Sequence, residues 1–307
     1  MILTVTLNAA VDKTYRVESL RPGSVMRVRA MTATAGGKGL NVARVASILG
    51  EEVCAAGFLG GHSGQYVEEL LAGTAIERQF VYVAGETRTC VNVMDDSGLS
   101  TEFLEPGFQV GEHDLNRFLD TYEQLLARSS VITVSGSMPE GCPVDFYAEL
   151  VRLARERSVW VCLDSSGEAL KRGIEALPTL IKPNRDELKA AVGEVTEDDL
   201  PAALFSLHKR GIAYVVHSMG ARGAMMACAE GIFQGTTPDI PIVNPVGCGD
   251  AMIAAFAVGI RRGMDAAELF RFAIEVSTAS ALNPQTGGLD LGDLKAVQGR
   301  CEVRLLR

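Results

Sequence analysis

The sequence has little positive charge and no apolar run as long as a membrane span. Its 29 lysines and arginines are outnumbered by 38 aspartates and glutamates, for a net charge of −9. This balance argues against a nucleic-acid backbone or an anionic membrane as the main partner. Residues 1–7 lack a basic leader and a cleavage site and are predicted to form a strand. A small phosphorylated ligand remains open, because a few local donors can hold an anion.

Cysteine and histidine are placed too sparsely for a disulfide framework or a zinc site. The seven cysteines include no Cys-x-x-Cys pair, which predicts reduced thiols and a cytoplasmic location. The four histidines lack metal-ligand spacing, so a protein-ligated zinc site is not expected. They are His62, His113, His208 and His217.

Several signature motifs of enzymes are also missing. No Gly-x-Gly-x-x-Gly fingerprint occurs, which weakens a dinucleotide-binding interpretation. The stretch Gly36-Gly37-Lys38-Gly39 is not a P-loop, because no glycine stands five positions before Gly37 and Gly39 replaces the required Ser or Thr. Neither Gly-x-Ser-x-Gly nor His-Glu-x-x-His is present, so serine hydrolases and zincins lose their usual support.

The remaining pattern predicts one α/β domain. With 47% hydrophobic and 22% charged residues, the 307-residue chain has a globular composition and can bury a full core. From residue 112 onward, predicted helices alternate with short apolar strands, which indicates a mostly parallel sheet with helices on both faces. These strands are 131–134, 159–163, 179–181 and 214–217.

A two-residue period interrupts this alternation in the first third of the chain. Segments 80–83, 89–94 and 101–104 are typical of antiparallel strands, with Asp95-Asp96-Ser97-Gly98 as a hairpin turn. Together with segment 14–34 they are expected to form a small separate sheet. The single domain, 1–307, would then include a β excursion at about 14–34 and 78–106.

Polar and glycine-rich segments follow most of the predicted strands at their carboxyl ends. Ligands bind at that edge of open α/β sheets, so these segments are predicted to converge on one site, although each alone is an ordinary turn. Asn184 and Glu187 have i, i+3 spacing on a new helix and indicate either Mg²⁺ coordination through water or a capping box. The segments are 8–12, 36–41, 135–139, 181–188 and 217–224.

The turn before the last helical region combines a proline, two glycines and an aspartate. Pro245 cannot continue a strand, while Gly247 and Gly249 permit backbone angles closed to other residues. Asp250 stands where a helix is predicted to begin, so free N–H groups and the helix dipole would form an anion cradle beside a carboxylate. The alternative is an ordinary aspartate N-cap.

Two arginines of the β excursion are further candidates. Arg27 or Arg88 could clamp a phosphate with the planar donor fork of its guanidinium group. The alternative for each is a solvated arginine on an exposed strand.

In their order along residues 2 to about 288, these motifs resemble the ribokinase-like (PfkB-type) carbohydrate kinases. Further segments are similar to the phosphosugar branch of that family, which includes tagatose-6-phosphate kinase and 1-phosphofructokinase: Thr6-Leu7-Asn8 and Asp164-Ser165-Ser166-Gly167. The family motifs are Gly36-Gly37-Lys38-Gly39-Leu40-Asn41, Ser135-Gly136-Ser137, Lys182-Pro183-Asn184 with Glu187, Ser218 with Gly220 and Gly223, and Gly247-Cys248-Gly249-Asp250. The chain departs from the usual pattern at Ala9, Cys248 and Leu104-Glu105-Pro106-Gly107.

The resemblance implies a role for each motif. The fold would be a ribokinase-like three-layer α/β fold, with the β excursion as a lid that also offers a homodimer interface. Asp250 would be the catalytic base, and Gly247, Cys248 and Gly249 would form the anion hole. The sugar phosphate would be bound by Asp12, Gly37, Lys38, Asn41, Arg88, Arg27 and Ser137. ATP would be bound by Lys182, Asn184, Ser218, Gly220, Gly223 and Asn283, with Glu187 on the Mg²⁺.

The reaction implied by the resemblance is ATP-dependent phosphorylation of a ketohexose phosphate. Three segments favour tagatose-6-phosphate as the acceptor: 34–39, Asn244-Pro245-Val246 and Gln285-Thr286-Gly287. Fructose-1-phosphate and fructose-6-phosphate are the alternatives within the family. A regulator that binds sugar phosphates without turning them over is the non-enzyme alternative, although such a protein has no need of a base at Asp250.

Overall fold

The computed structural model describes residues 1–306, which form a ten-stranded sheet, a four-stranded sheet and the helices around them. The strands are β1 Ile2–Thr6, β2 Ala10–Val17, β3 Ala30–Gly36, β4 Val53–Gly60, β5 Glu77–Val83, β6 Arg88–Asp95, β7 Ser100–Leu104, β8 Val131–Ser135, β9 Trp160–Asp164, β10 Leu180–Ile181, β11 Tyr214–Ser218, β12 Ala224–Cys228, β13 Gly231–Thr236 and β14 Glu302–Leu306. The α-helices are α1 Lys38–Ile48, α2 Gly61–Leu71, α3 Glu112–Leu126, α4 Phe146–Glu156, α5 Gly167–Glu175, α6 Arg185–Val192, α7 Leu200–Lys209, α8 Cys248–Arg261, α9 Ala266–Ser280 and α10 Leu291–Val297.

The large sheet is parallel over most of its width. Its order is β14-β13-β12-β11-β10-β9-β8-β1-β4-β5, and every pairing from β11 to β5 is parallel, whereas β12, β13 and β14 are antiparallel. The carboxyl ends of the parallel strands therefore meet at one edge, where ligands bind in this class of sheet. The predicted mostly parallel α/β sheet is confirmed.

Helices cover both faces of this sheet and define two cores. Because successive strand residues point to opposite faces, Ile2 packs with the layer of α1, α2, α8 and α9, while Leu3 and Val5 pack with the layer of α3, α4, α5 and α7. The central strands β1, β4 and β8 are buried at every residue and are mostly apolar for that reason. No helix within residues 1–306 has both the length and the apolar composition to cross a membrane.

The four-stranded sheet has the order β3-β2-β6-β7 and lies at the carboxyl edge of the large sheet. Three residues separate the end of β1 from the start of β2, and β3 leads almost directly into α1. Its central pair, β2 and β6, is parallel, and both outer pairs are antiparallel. The predicted small sheet is therefore present, starting at Ala10 instead of 14.

The predicted extent of the β excursion is wrong at one segment. Residues 80–83 belong to β5, which pairs in parallel with β4 at the edge of the large sheet. The prediction is wrong because β5 is buried on one face only: Val81 and Val83 point into the core and Tyr82 points outward. A half-buried edge strand and a lid strand have the same two-residue period. Within the predicted segment 14–34, β2 ends at Val17 and β3 begins at Ala30, so residues 18–29 lie outside the strands.

Candidate active site

Two cavities meet at the N-terminus of α8. The first, of about 470 Å³, lies between the carboxyl edge of the large sheet and the four-stranded sheet. The second, of about 530 Å³, lies beside the β11–β12 turn, α8 and α9. Gly249 lines both cavities, Gly247 and Asp250 line the first, and Cys248 lines the second. The first turn of α8 is thus the boundary between two spaces of ligand size.

The helix start differs from the predicted one. The N-cap is Gly247, with a left-handed φ of 89°, and α8 begins at Cys248, so Asp250 is the third helical residue instead of the N-cap. A Cβ atom at position 247 would lie 2.6 Å from the backbone nitrogen of Gly287. A glycine is required there by both backbone angle and space. Because the helix starts earlier, the free amides of the first turn lie between the cavities.

Asp250 is a buried carboxylate with 6% exposure. Within residues 1–306 its hydrogen-bond donor is Asn41 of α1, whose Nδ2 lies 2.8 Å from Asp250 Oδ2. Burial raises the pKa of Asp250 to about 7, and the negative charge of Asp164 adds to this shift, while Lys38, Asn41 and Lys182 oppose it. A carboxylate with a pKa close to neutrality is suited to accept and release a proton.

A charged row of three side chains runs along the floor of the first cavity. Asp164, at the carboxyl end of β9, lies 3.3 Å from Lys38 Nζ through Oδ1 and 3.7 Å from Lys182 Nζ through Oδ2. Burial alone would lower the pKa of Lys38, but the charges of Asp164 and Asp250 raise it. Lys38 therefore stays cationic beside Asp250, where negative charge on a ligand would be stabilised.

Asp164 is a site residue that sequence reasoning missed. The segment 164–167 supports the family resemblance, but the sequence pattern does not assign Asp164 a role in the site. Its position in the sequence could have identified it, because Asp164 ends a parallel strand at the ligand-binding edge of the sheet. Its pairing with Lys38 joins positions 126 residues apart in sequence, which no local pattern reveals.

The outer part of the first cavity is formed by the four-stranded sheet and neighbouring loops. Burial raises the pKa of Asp12, against the opposing effects of the Gly37 amide, Arg88 and Arg44. Arg88 donates to the carbonyl oxygens of Asn8 at 3.0 Å and Glu105 at 3.3 Å, which fixes its guanidinium at the cavity wall. The predicted sugar-phosphate residues that line this cavity are Asp12, Gly37, Lys38, Asn41, Arg88 and Ser137, and the predicted ATP residue Lys182 joins them.

The second cavity contains the predicted Ser218, Gly220 and Gly223. Gly223 has a φ of 92°, and a Cβ there would lie 2.1 Å from the carbonyl oxygen of Gly235, so the turn requires glycine. The apolar wall comes from Ile242, Met252, Ile274 and neighbouring side chains. Apolar walls with a few polar groups at one end suit the base and phosphates of a nucleotide.

Cys248 faces this second cavity as a neutral thiol. Burial raises its pKa to about 11, and the charge of Asp250 acts in the same direction. Its Sγ lies 3.7 Å from the carbonyl oxygen of Asn244. The position therefore behaves as a small neutral side chain that adds no charge at the start of α8.

Several predicted residues lie outside the lining of both cavities. Arg27 is exposed in the loop between β2 and β3, outside the lining of both cavities. Asn283 Oδ1 accepts from the Gln285 amide within its own turn. Asn184 and Glu187 form a reciprocal capping box at the start of α6, at 3.0 and 2.9 Å, so the capping alternative is present. The negative charge of the Glu187 carboxylate also helps to raise the pKa of Lys38.

Within residues 1–306, no group of three or more His, Cys, Asp or Glu side chains is arranged to hold a metal ion. Mg²⁺ is commonly held by one or two carboxylates together with water and ligand phosphates. A single carboxylate, that of Glu187, whose charge acts on Lys38 of the first cavity, fits this sparse donor set.

Comparison with known proteins supports the assignment of fold and family. Residues 4–290 match the family described as pfkB family carbohydrate kinase. A tagatose-6-phosphate kinase of Staphylococcus epidermidis is 38% identical over 308 residues, covering 99% of each chain. A possible 1-phosphofructokinase of Thermotoga maritima has a TM-score of 0.92 at 30% identity, covering 100% of both chains. Phosphofructokinase-2 of Escherichia coli has a TM-score of 0.90 at 29% identity, covering 96% of this chain and 97% of that one.

Proposed function

Because the chain belongs to the pfkB family of carbohydrate kinases and is a sugar-phosphate kinase, we propose that it converts tagatose-6-phosphate to tagatose-1,6-bisphosphate with ATP. The observation that carries the proposal is the first turn of α8, which separates a polar cavity from a more apolar one and carries a buried carboxylate. Phosphoryl transfer needs two ligands aligned across such a boundary.

The chemistry assigns distinct roles to the residues at this boundary. Asp250 accepts the proton of the sugar hydroxyl as it attacks the γ-phosphate. The amides of Gly247, Cys248 and Gly249 hold the transferred phosphoryl group, whose negative charge is further stabilised by Lys182 and Lys38. Such preorganised donors and cations stabilise the charge that develops in the transition state.

The polar cavity takes the sugar phosphate and the second cavity takes ATP. Asp12, Gly37, Asn41 and Ser137 would hold sugar hydroxyls, and Arg88 would bind the phosphate already on the sugar. Ser218, Gly220 and Gly223 would follow the nucleotide phosphates. Mg²⁺, when bound near Glu187 through water, supplies charge neutralisation on those phosphates. Arg27, Asn184 and Asn283 lie outside the lining of both cavities. Binding of the sugar phosphate by Arg27 and of ATP by Asn184 and Asn283 stays a proposal.

The curated relative at 38% identity favours tagatose-6-phosphate as the acceptor. The T. maritima relative at a TM-score of 0.92 makes fructose-1-phosphate the second candidate. We expect ADP release to be fastest with tagatose-6-phosphate in a panel with fructose-1-phosphate, fructose-6-phosphate, tagatose and fructose. A higher kcat/KM with fructose-1-phosphate would select the second candidate, and turnover of unphosphorylated sugars alone would reject both.

Replacing Arg88 with alanine is expected to raise KM for the sugar phosphate by about 10- to 100-fold. The loss of a charge-assisted hydrogen bond corresponds to about 1.5–3 kcal/mol. The value of kcat should change less, because Arg88 donates to the carbonyl oxygens of Asn8 and Glu105 and not to Asp250. Arg29→Ala is the matched control. Arg29 directly precedes β3 of the same four-stranded sheet, but it forms exposed ion pairs with Glu18 and Asp96. Steady-state kinetics with an unchanged KM in Arg88→Ala would remove Arg88 from the site.

The four-stranded sheet also supports a homodimer. By register, Met31 and Phe103 share one face of the sheet, and they are 55% and 58% exposed. Exposed apolar side chains on one face are typical of an interface. We expect a dimer in sedimentation velocity that Phe103→Glu converts to monomer, whereas Leu305→Glu, at an exposed position of β14, leaves it unchanged. A wild-type monomer at micromolar concentration would contradict this interface.

A further inference from the structure

Arg44 connects three separate parts of the chain next to Asp250. From α1, its Nη1 donates to Asn41 Oδ1 at 3.1 Å, to the Thr286 carbonyl at 3.1 Å and to the Gly287 carbonyl at 3.4 Å. Its Nη2 donates to the carbonyl oxygen of Ala35 at the end of β3. The guanidinium does not line the first cavity, so it would act on bound sugar only through its neighbours.

The contact with Asn41 determines which way that side-chain amide points. A guanidinium has donors and no acceptor, so the Asn41 atom that faces Arg44 is the oxygen. Asn41 Nδ2 is thereby directed at Asp250, and it lies 2.8 Å from Oδ2. The reversed amide would direct an oxygen at the carboxylate, and only a protonated Asp250 could donate to it.

The charges around Asp250 make this orientation consequential. Asp164 faces it with like charge from β9, while Lys38 of α1 and Lys182 after β10 face it with opposite charge. Burial lowers the pKa of Arg44, and the negative charges of Asp12 and Asp250 oppose that shift. Arg44 therefore stays charged close to both carboxylates. A hydrogen bond donated to the ionised carboxylate favours that form.

We propose that Arg44 is a positioning residue for the catalytic base, fixing the Asn41 amide so that Nδ2 donates to Asp250 and keeps the carboxylate ionised and oriented. The catalytic part of this inference rests on the function proposed above. The orientation of Asn41 and the protonation of Asp250 do not depend on the identity of the sugar.

The kinetic test compares Arg44→Met, Arg44→Lys, Asn41→Ala and the double variant Asn41→Ala/Arg44→Met. We expect Arg44→Met to lower kcat/KM for the sugar phosphate by about 10- to 100-fold, as expected when a reacting group is misplaced, and to leave KM for ATP unchanged. The acidic limb of the kcat/KM profile should move to higher pH. In the Asn41→Ala background the same substitution should have little effect, because the residue through which Arg44 acts is gone.

A second readout needs no substrate. The melting temperature of each protein is compared with that of its Asp250→Asn counterpart from pH 4 to 9, in the wild-type and Arg44→Met backgrounds. A raised pKa of Asp250 makes the native state lose stability as the pH rises towards that pKa. The difference in melting temperature between each protein and its Asp250→Asn counterpart should therefore level off at a higher pH in the Arg44→Met background. This measurement stays valid if the enzyme proves to use a different acceptor.

Arg262→Met is the matched control for loss of a structural arginine. Arg262 donates to Glu51 and to the Leu49 carbonyl at the far end of α8. We expect this variant to lower the melting temperature without moving the acidic limb. Two results would overturn the proposal. In the first, Arg44→Met moves neither the acidic limb of the kcat/KM profile nor the pH dependence of the melting-temperature difference. In the second, Arg44→Met lowers activity in the Asn41→Ala background as much as it does in the wild type. Either result would show that Arg44 only stabilises the loop at 286–287.

Discussion

Replacing Asp250 with asparagine is expected to lower kcat by about 10²–10⁴-fold while both substrates still bind, which is the usual contribution of a general base. Asparagine has the same shape, and its oxygen can accept the hydrogen bond that Asn41 donates to Asp250 Oδ2. The substitution therefore removes the proton acceptor and leaves the cavity walls in place. Calorimetric titration of ATP and of sugar phosphate, beside steady-state kinetics, separates binding from turnover.

The pH dependence provides a second check on the same residue. Burial raises the pKa of Asp250 to about 7, and a base works in its ionised form. The wild-type kcat/KM should therefore fall about tenfold per pH unit below pH 7, and the residual activity of Asp250→Asn should lack this limb. Near-full activity of Asp250→Asn would reject Asp250 as the base.

The same pKa shift predicts that Asp250→Asn is the more stable protein at alkaline pH. The folded-state pKa lies above the unfolded value of about 3.9, so the native state binds the proton more tightly. The wild type then loses stability as pH rises from about 4 to 7, a loss that asparagine does not suffer. Urea unfolding at pH 8 should give a higher free energy of unfolding for Asp250→Asn than for the wild type. The difference between the two free energies should shrink towards pH 4.

Replacing Gly247 with alanine is expected to lower kcat by at least about 100-fold. A Cβ there would meet the Gly287 nitrogen at 2.6 Å, so the start of α8 or the loop at 286–287 must shift. Displacing one donor from a charge-stabilising site typically costs about 10²–10³-fold in rate. Because Gly249 lines both cavities, the shift should also weaken the binding of both substrates.

Gly263→Ala separates backbone strain from displacement of the site. Gly263 follows α8 at its other end with a φ of 69°, and a Cβ there would meet no atom within 4 Å. Both variants place alanine in the left-handed region, which costs roughly 1–2 kcal/mol of unfolding free energy. Only Gly247→Ala should lose turnover, as measured by kinetics and urea unfolding. Equal kinetic losses would mean that the clash with Gly287 is irrelevant to the site.

The parts of the fold set by local pattern were predictable. Strands such as Val131–Ser135 and Tyr214–Ser218 are short, mostly apolar runs between helical patterns, and their alternation with helices indicates a parallel sheet. The segments that follow them meet at one edge for the same topological reason. Local pattern could not distinguish β5 from the small sheet, because one buried face gives both the same period.

The details of the candidate site depend on contacts distant in sequence. The helix starts at Cys248 because Gly247 takes a left-handed conformation against Gly287, 40 residues later. Arg44 faces carbonyl groups 242 and 243 residues further along the chain. Such pairings follow from packing of the completed fold. They have no signal in a single sequence beyond residue type.

The most direct measurement of the central claim is ³¹P nuclear magnetic resonance of wild type and Asp250→Asn with ATP, Mg²⁺ and tagatose-6-phosphate. With the wild type, a second phosphomonoester resonance of the sugar should grow in step with ADP. With Asp250→Asn, that resonance should grow about 10²–10⁴-fold more slowly, although calorimetry shows both ligands bound. Equal growth in the two proteins, or free phosphate in place of a bisphosphate, would contradict transfer across the α8 turn to a sugar hydroxyl activated by Asp250.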